Sequence, residues 1–163
     1  MKEIISNILT YSAYTFGGYA AVLAAAELIE DVCSKKITSQ EQLDEIVDKE
    51  ADKLGMDKRN IVSTYYSKTH PDYKKIRGAR SSVQAWDREK DEIVFYDPAE
   101  HRKKGIIPLK VLEVKEGWGS NVGAVRHELY HLAKHLPRKG NPLKYFFYEE
   151  PTATIYSLTG VKL

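Results

Sequence analysis

The first part of the chain is dominated by hydrophobic positions and carries no charged residue between Ile4 and Ala26. Their spacing predicts a helix over residues 4–32, weakened at Gly17-Gly18 because glycine lowers helix propensity. The uncharged stretch is long enough to span a bilayer, but polar residues and tyrosines interrupt it and it has no dense run of large aliphatic residues. We therefore expect a buried helix. The alternatives are membrane association through this stretch, a signal segment, or an exposed helix that joins two copies in a homodimer.

The second helix is marked by its ends as well as by its periodicity. Thr38 and Glu41 have the spacing of a capping box, and Gly55 is a candidate for the C-terminal cap. One face of the predicted helix consists of Leu43, Ile46, Val47 and Leu54. The next segment, residues 57–71, is expected to begin a third helix. We therefore describe residues 1–75 as a helical N-terminal region.

The pattern changes at Ser81, where β-branched and aromatic residues become frequent. Residues 81–87 and 92–97 are rich in such side chains and flank a short polar segment, which predicts an antiparallel β-hairpin. Residues 99–105 indicate a short helical turn or a loop. The segment 106–117 is compatible with a helix or a strand, and we favour a helix after its proline.

The last third of the chain predicts two helices separated by a loop. Ser120 or Asn121 is expected to cap a helix that runs to about Leu136, just before a proline. Pro151 suits the first turn of a short final helix, which Gly160 ends.

The order of these elements predicts the α+β class rather than alternating strands and helices. It comprises a helical N-terminal part, a small antiparallel β-ribbon, a long helix and a short C-terminal helix. A chain of 163 residues has the size of one domain. We expect a single domain over residues 1–163.

Composition limits the partners and the compartment. The chain carries 25 basic and 23 acidic residues, a formal net charge of +2, so its charge demands neither nucleic acid nor an anionic membrane. One cysteine, Cys33, excludes an internal disulfide and a multi-cysteine metal site, and it suits a reducing compartment. We therefore expect no nucleic-acid partner and a cytoplasmic location.

Three residues in the predicted penultimate helix spell H-E-x-x-H: His127, Glu128 and His131. Histidines four apart project from one helical face, where two imidazole nitrogens can take two corners of a tetrahedral zinc site. The helix itself is supported by an apolar stripe at Val125, Leu129, Leu132 and Leu136. The same letters also arise by chance on ordinary helices, so a zinc site requires a third ligand.

The third ligand is sought among the remaining histidines and acids. His135 continues the four-residue spacing but lies about 12 Å along the helix axis from His127, too far to share one metal. Glu149 and Glu150 follow His131 by 18 and 19 residues, at the start of the last helix. The pair either contains a ligand or consists of two acids favoured by the helix dipole, and we favour a ligand.

These features resemble a known family. HELYH followed by a glutamate on a later helix is similar to the gluzincin class of zinc metallopeptidases. The E-P-T-A segment at Glu150–Ala153 resembles the E-x-x-A-D segment of HtpX and CaaX-protease type membrane peptidases and of their small soluble relatives, the minigluzincins. Thr154 stands where that segment has aspartate. The predicted hairpin, residues 83–98, resembles the small sheet of these proteases. The resemblance covers roughly residues 80–160 and leaves residues 1–75 without a counterpart. It implies that residues 80–163 form a zincin-like catalytic core.

The resemblance implies peptide hydrolysis with one zinc ion per chain. The implied zinc ligands are His127, His131 and Glu150, with Glu149 as the alternative third ligand. Glu128 would accept the proton of the attacking water and pass it to the leaving amine. The donor to the tetrahedral intermediate is expected to be Tyr148, Tyr156 or His135.

The expected substrate is a peptide or an unfolded protein. Residues 92–97 would be the edge strand along which it pairs, or else an ordinary half-buried strand. The alternative function is that of a non-catalytic or latent zincin-fold protein, with a structural metal and a partner-binding role. In that case the N-terminal helix or the C-terminal tail would fill the cleft.

Overall fold

A computed structural model describes residues 2–87, 91–134 and 144–161, and within them a four-stranded sheet lies among helices. The helices are α1 (Lys2–Cys33), α2 (Gln40–Leu54), α3 (Pro98–His101), α4 (Val122–Ala133) and α5 (Glu150–Thr159). The strands are β1 (Ile61–Tyr66), β2 (Ala79–Asp87), β3 (Glu92–Phe95) and β4 (Leu109–Lys115). Shorter turns are 3-10 helical at Lys58–Asn60 and Tyr73–Lys75 and π-helical at Tyr145–Glu149. The predicted α+β class is confirmed.

The sheet is mixed, with the strand order β1-β4-β2-β3. β1 runs parallel to β4, with Ile61 opposite Lys110, whereas β2 runs antiparallel to β4, with Ser81 opposite Leu112. β2 and β3 pair as the predicted antiparallel hairpin, although its polar turn, residues 88–90, lies outside the described part of the chain. The small ribbon expected from the sequence is therefore one half of a larger sheet.

Two segments predicted to be helical form strands instead. The prediction for residues 57–71 is wrong because Ile61–Tyr66 forms β1, and the prediction for 106–117 is wrong because Leu109–Lys115 forms β4. Along β4 buried and half-buried residues alternate, which is the two-residue period of a strand. β1 is rich in β-branched and aromatic side chains, which favour a pleated surface. The N-terminal region is therefore not wholly helical.

α4 carries the H-E-x-x-H motif and packs against β2, α2 and α5. The described part of its predicted apolar stripe is buried, since Val125, Leu129 and Leu132 are at most 2% exposed, whereas Leu136 lies outside the described residues. The neighbouring core residues include Leu43, Val47, Leu112, Val114 and Tyr156. Because each large apolar side chain contributes about 1.5–3 kcal/mol on burial, this core holds the motif helix in one position.

The ends of α2 and the start of α4 carry the expected caps, with one shift. Ser39, not Thr38, caps α2: its hydroxyl accepts a hydrogen bond from the N–H of Gln42 at 3.3 Å, so the N-cap lies one residue later than predicted. The side chain of Gln42 in turn accepts from the N–H of Thr38 at 3.0 Å. Gly55 ends α2 in the left-handed conformation, with φ at 69°, as predicted. Asn121 caps α4 through its side-chain carbonyl.

The last two helices follow their predicted boundaries in part. α4 is described to Ala133, and its expected end near Leu136 and the loop that follows lie outside the described residues. Pro151 lies in the first turn of α5 as predicted, and Gly160 ends that helix with φ at 68°.

α1 is a surface helix with one packed face, so the expectation of a buried helix is wrong for its described side chains. Tyr19 and Leu23 are half-buried and Glu30 is buried, whereas Val22 and Val32 are 67% and 74% exposed. The helix is continuous through its two glycines, where a weak point was predicted. Among the described residues, no helix combines the length and the hydropathy that a membrane crossing requires.

The end of α1 is bonded to the start of α4. Asp31 accepts hydrogen bonds from the N–H of Gly119 and from the side-chain amide of Asn121, both at 3.0 Å, and it pairs with Lys36. Asn121 is the N-cap of α4. The N-terminal region is therefore bonded directly to the beginning of the motif helix.

Candidate metal centre

α4 and α5 bring together the three residues expected to bind a metal. The Nε2 atoms of His127 and His131 lie 3.0 Å apart. Glu150 reaches both of them, with Oε2 at 3.4 Å from Nε2 of His127 and Oε1 at 3.5 Å from Nε2 of His131. The three side chains keep 12% to 19% of their surface exposed. The cluster therefore lies at a partly open surface.

The donor set and its spacing suit a tetrahedral zinc ion. Ligand distances of about 2.0–2.1 Å place neighbouring corners of a tetrahedron about 3.3 Å apart. The two nitrogens lie 3.0 Å apart, and the distances to Glu150 are 3.4 Å from His127 to Oε2 and 3.5 Å from His131 to Oε1. The last two distances belong to different oxygens, and one donor atom from each residue lies within 4.8 Å of the other two. Two imidazoles and one carboxylate also form a known zinc set that leaves the fourth corner for water or substrate. The residues present therefore fit zinc.

Burial and neighbouring charges shift His131 and Glu150 towards the protonation states of metal ligands, whereas the pKa of His127 shifts the other way: burial lowers it, but the hydrogen bond to Glu150 and the nearby carboxylates raise it overall. Burial and the charge of His127 lower the pKa of His131 to about 4, against an opposing effect of Glu150. Burial raises the pKa of Glu150, but hydrogen bonds from His127 and Tyr145 and the charges of the two histidines lower it overall. At neutral pH His131 is therefore a neutral imidazole and Glu150 a carboxylate, which are the protonation states of metal ligands.

The neighbouring acid, Glu149, occupies a different position. Its Oε1 lies 3.7 Å from Nζ of Lys144. The group of described residues that could hold a metal contains Glu150 together with the two histidines and does not contain Glu149. The geometry therefore favours Glu150 as the third ligand.

Glu128, the expected general base, is held by the sheet. Its Oε2 accepts a hydrogen bond from the hydroxyl of Ser81 in β2 at 2.5 Å. Glu128 directly follows His127 in α4, close enough for its charge to act on that histidine. The sequence did not single out Ser81, because 47 residues separate it from Glu128 and no local pattern links them.

Of the three candidates for stabilising the tetrahedral intermediate, one lies in the core, one is exposed and one falls outside the described residues. Tyr156 is fully buried and donates its hydroxyl to Glu50 at 2.8 Å, so it belongs to the core. Tyr148 is 63% exposed. His135 falls outside the described residues.

Tyr145 is a phenol at the cluster that sequence reasoning missed. Its ring stacks on that of His131, with 5.7 Å between centroids and 22° between planes, and it hydrogen-bonds to Glu150. The π-helical turn brings these residues together, because the N–H of Glu150 bonds to the carbonyl of Tyr145 five residues earlier. Ordinary helical spacing does not pair residues five apart, so the sequence carried no signal for this contact.

α1 borders the cluster, where the sequence predicted a role for this helix only as the segment that fills the cleft of a non-catalytic protein. Tyr19 pairs with Phe147, with ring centroids 5.4 Å apart. Burial lowers the pKa of His127, but the hydrogen bond to Glu150 and the charges of the neighbouring glutamates, among them Glu30 of α1, raise it overall. The surroundings of the first histidine therefore include a charge from the N-terminal helix.

A buried ionic cluster connects α4 to α2 and α5. Glu50 of α2 is 1% exposed and lies 3.1 Å from Nε of Arg126 and 2.8 Å from Nζ of Lys53. It also accepts the hydroxyl of Tyr156. Burial raises the pKa of Glu50, but these partners lower it overall. The cluster therefore ties three helices together through one carboxylate.

Comparisons with protein-family models, curated proteins and solved structures found no match to this chain. The functional argument therefore rests on the residues of the site and on their geometry.

Proposed function

We propose that this protein is a zinc-dependent metallopeptidase in which His127, His131 and Glu150 hold the metal. The observation that carries the proposal is the spacing of their donor atoms, 3.0 to 3.5 Å, on an H-E-x-x-H helix and a later helix. The partial exposure of the cluster supports an open fourth position, which a hydrolytic zinc site needs and a closed structural site lacks.

Glu128 is the proton carrier in this proposal. Bound zinc would supply polarisation of the scissile carbonyl and a lower pKa for the attacking water. The carboxylate of Glu128 accepts the proton of that water and returns it to the nitrogen of the leaving amine. The hydrogen bond from Ser81 to Oε2 fixes the orientation of this carboxylate.

We assign the donor to the developing oxyanion to Tyr145, in place of Tyr148 and Tyr156. Its ring stacks on His131 and its side chain hydrogen-bonds to Glu150, so a phenol lies beside two of the proposed ligands. A preorganised donor at this position stabilises negative charge that develops only during the reaction.

The substrate class we propose is an extended peptide or an unfolded protein. β3 forms one edge of the sheet, and its neighbour β2 contacts the motif helix. An extended chain can add to such an edge through backbone hydrogen bonds. The side chains of Ile93 and Phe95 on β3 are 57% and 71% exposed and would contact the added strand.

We further place this activity in the cytoplasm. The chain has one cysteine, Cys33, and it is exposed. A single exposed thiol suits a reducing compartment. Thiol labelling in intact cells would contradict this location if Cys33 were found in an intermolecular disulfide.

Metal analysis and cleavage assays test the proposed function together. Purified protein is expected to contain about one zinc per chain, and His131→Ala and Glu150→Ala to lose it. Glu128→Gln is expected to retain zinc and to cleave an unstructured protein at least about 100-fold more slowly, because the proton acceptor is gone.

Glu149→Gln is the matched control for Glu150→Ala, since it changes the adjacent acid and is expected to keep the zinc. Zinc-free wild-type protein under non-chelating conditions would overturn the proposal. Zinc-bound protein that cleaves no unstructured protein would favour the alternative of a latent or non-catalytic protein with a structural metal.

A further inference from the structure

We propose that Glu30 of α1 is a positioning residue for the metal ligand His127, which makes α1 a part of the metal site. The inference rests on the proposed zinc site and adds to it a residue nearly 100 positions away from the motif. It also assigns the N-terminal helix a role at the metal ligands, where the sequence predicted at most that this helix fills the cleft of a non-catalytic protein.

Glu30 is a buried carboxylate held between three helices. Its side chain belongs to α1 and the residue is only 8% exposed. Its Oε2 accepts a hydrogen bond from the hydroxyl of Ser157 in α5. Ser157 follows Glu150 by seven residues, two turns along the same face of α5. A carboxylate is costly to bury, so its retention here calls for a partner that benefits from the charge.

Because residue 123 is a glycine, the Glu30 side chain can lie directly against α4. A Cβ at position 123 would lie 2.3 Å from Cγ of Glu30 and 2.6 Å from its carboxyl carbon, so no larger residue fits while Glu30 stays in place. His127 lies four residues later on the same face of α4. Helical side chains lean towards the N-terminus, so the His127 ring leans towards Gly123 and the carboxylate.

The chemistry of a ligating histidine supplies the reason for this arrangement. Such a histidine usually donates its second ring N–H to a carboxylate or carbonyl, which fixes the ring and raises its basicity. In His127 the first nitrogen, Nε2, faces the cluster. Three glutamates act electrostatically on His127. Glu128 serves as the base and Glu150 as a ligand, which leaves Glu30 for the positioning role.

The zinc dissociation constant of the full-length chain tests the proposal. We would measure it by competition with a chromophoric chelator, in wild type and in Glu30→Gln, which keeps the size of the side chain but removes its charge. The expected result is a dissociation constant about 10- to 100-fold higher in the variant. The visible absorption spectrum of the cobalt-substituted protein is expected to change as well, because the His127 ring is less well oriented.

Glu50→Gln is the matched control, because Glu50 of α2 is, among the side chains that the structure describes, a second buried glutamate of the N-terminal helices. It is expected to lower the melting temperature and to leave the zinc dissociation constant and the cobalt spectrum unchanged. If Glu30→Gln does not fold, Gly123→Ala is the second test. This variant keeps Glu30 but displaces its carboxylate from α4, because the added Cβ occupies the same space. We expect the same increase in the zinc dissociation constant.

The outcomes separate this inference from the proposed function. Zinc-free wild type would overturn the metal site and the role of Glu30 with it. Wild type that binds zinc, with an unchanged dissociation constant and cobalt spectrum in Glu30→Gln and Gly123→Ala, would overturn the role of Glu30 alone.

Discussion

Ser81 and Ser82 are neighbours in β2 with different partners. The hydroxyl of Ser81 donates to Glu128, whereas that of Ser82 accepts from Gln84 at 3.0 Å. We expect Ser81→Ala to lower kcat about tenfold, because Glu128 loses a bond that orients its carboxylate. The KM and the zinc content are expected to stay unchanged. Steady-state cleavage of an unstructured protein, with metal analysis of the same samples, measures all three.

Ser82→Ala is the control for this prediction, since it removes an adjacent hydroxyl whose hydrogen bond is with Gln84. It is expected to keep the wild-type kcat. Full activity in Ser81→Ala would show that the sheet does not orient the base, and that β2 serves α4 only as a packing surface.

At the scale of elements, the contact between α2, α4 and α5 depends on the buried carboxylate of Glu50. Glu50→Gln is expected to lower the free energy of unfolding by about 3 kcal/mol at neutral pH, because it breaks a buried ion pair with Arg126. Tyr156→Phe removes one hydrogen bond to the same carboxylate and is expected to cost about 1.5 kcal/mol. Urea unfolding measures both values.

The pH dependence of this stabilisation has a definite sign. The pKa of Glu50 in the folded state lies below its ordinary value of 4.5. The stabilisation is therefore fully present above that value and is lost as the pH falls through the folded-state pKa. The difference in unfolding free energy between wild type and Glu50→Gln is expected to narrow below pH 4.5. Glu100→Gln, which removes an exposed pair with Lys104, is expected to change little at any pH.

At the scale of the whole molecule, the sheet joins the two regions that the sequence distinguished. β1 belongs to residues 1–75 and pairs with β4 along its full length, from Ile61 to Tyr66. We therefore expect one cooperative unfolding transition, in which the loss of helix and the release of zinc coincide. Circular dichroism and a chromophoric zinc chelator, followed in the same thermal scan, measure the two events.

Zinc at 100 times its dissociation constant is expected to add about 2.7 kcal/mol to the free energy of unfolding. The loss of circular dichroism and the release of zinc are then expected to shift together to a higher temperature. Two separated transitions, with the sheet or α1 lost before the zinc, would contradict a single domain and would show that the N-terminal region folds apart from the metal site.

Local signals in the sequence account for much of the fold. Apolar periodicity predicted α2 and α4, the long uncharged apolar stretch predicted α1, and Pro151 with Gly160 predicted α5. The caps at Gly55 and Gly160, and Asn121 as one of two candidates for the cap of α4, followed from residue chemistry. The helix predictions for residues 57–71 and 106–117 are wrong because short segments of this kind carry no decisive period of their own. The strand conformation of β1 and β4 depends on their pairing with each other, which is a long-range contact.

The candidate site likewise has features that follow from local sequence and features that depend on long-range contacts. The spacing of His127 and His131 along one helix is a local property, and the sequence by itself determined that both rings share a face. Only the tertiary structure decided which acid completes the cluster and which residues surround it. Ser81 is 47 residues from Glu128, and Ser157 is 127 residues from Glu30. Contacts of that kind arise when helices and strands pack, and one residue's neighbours along the chain do not specify them.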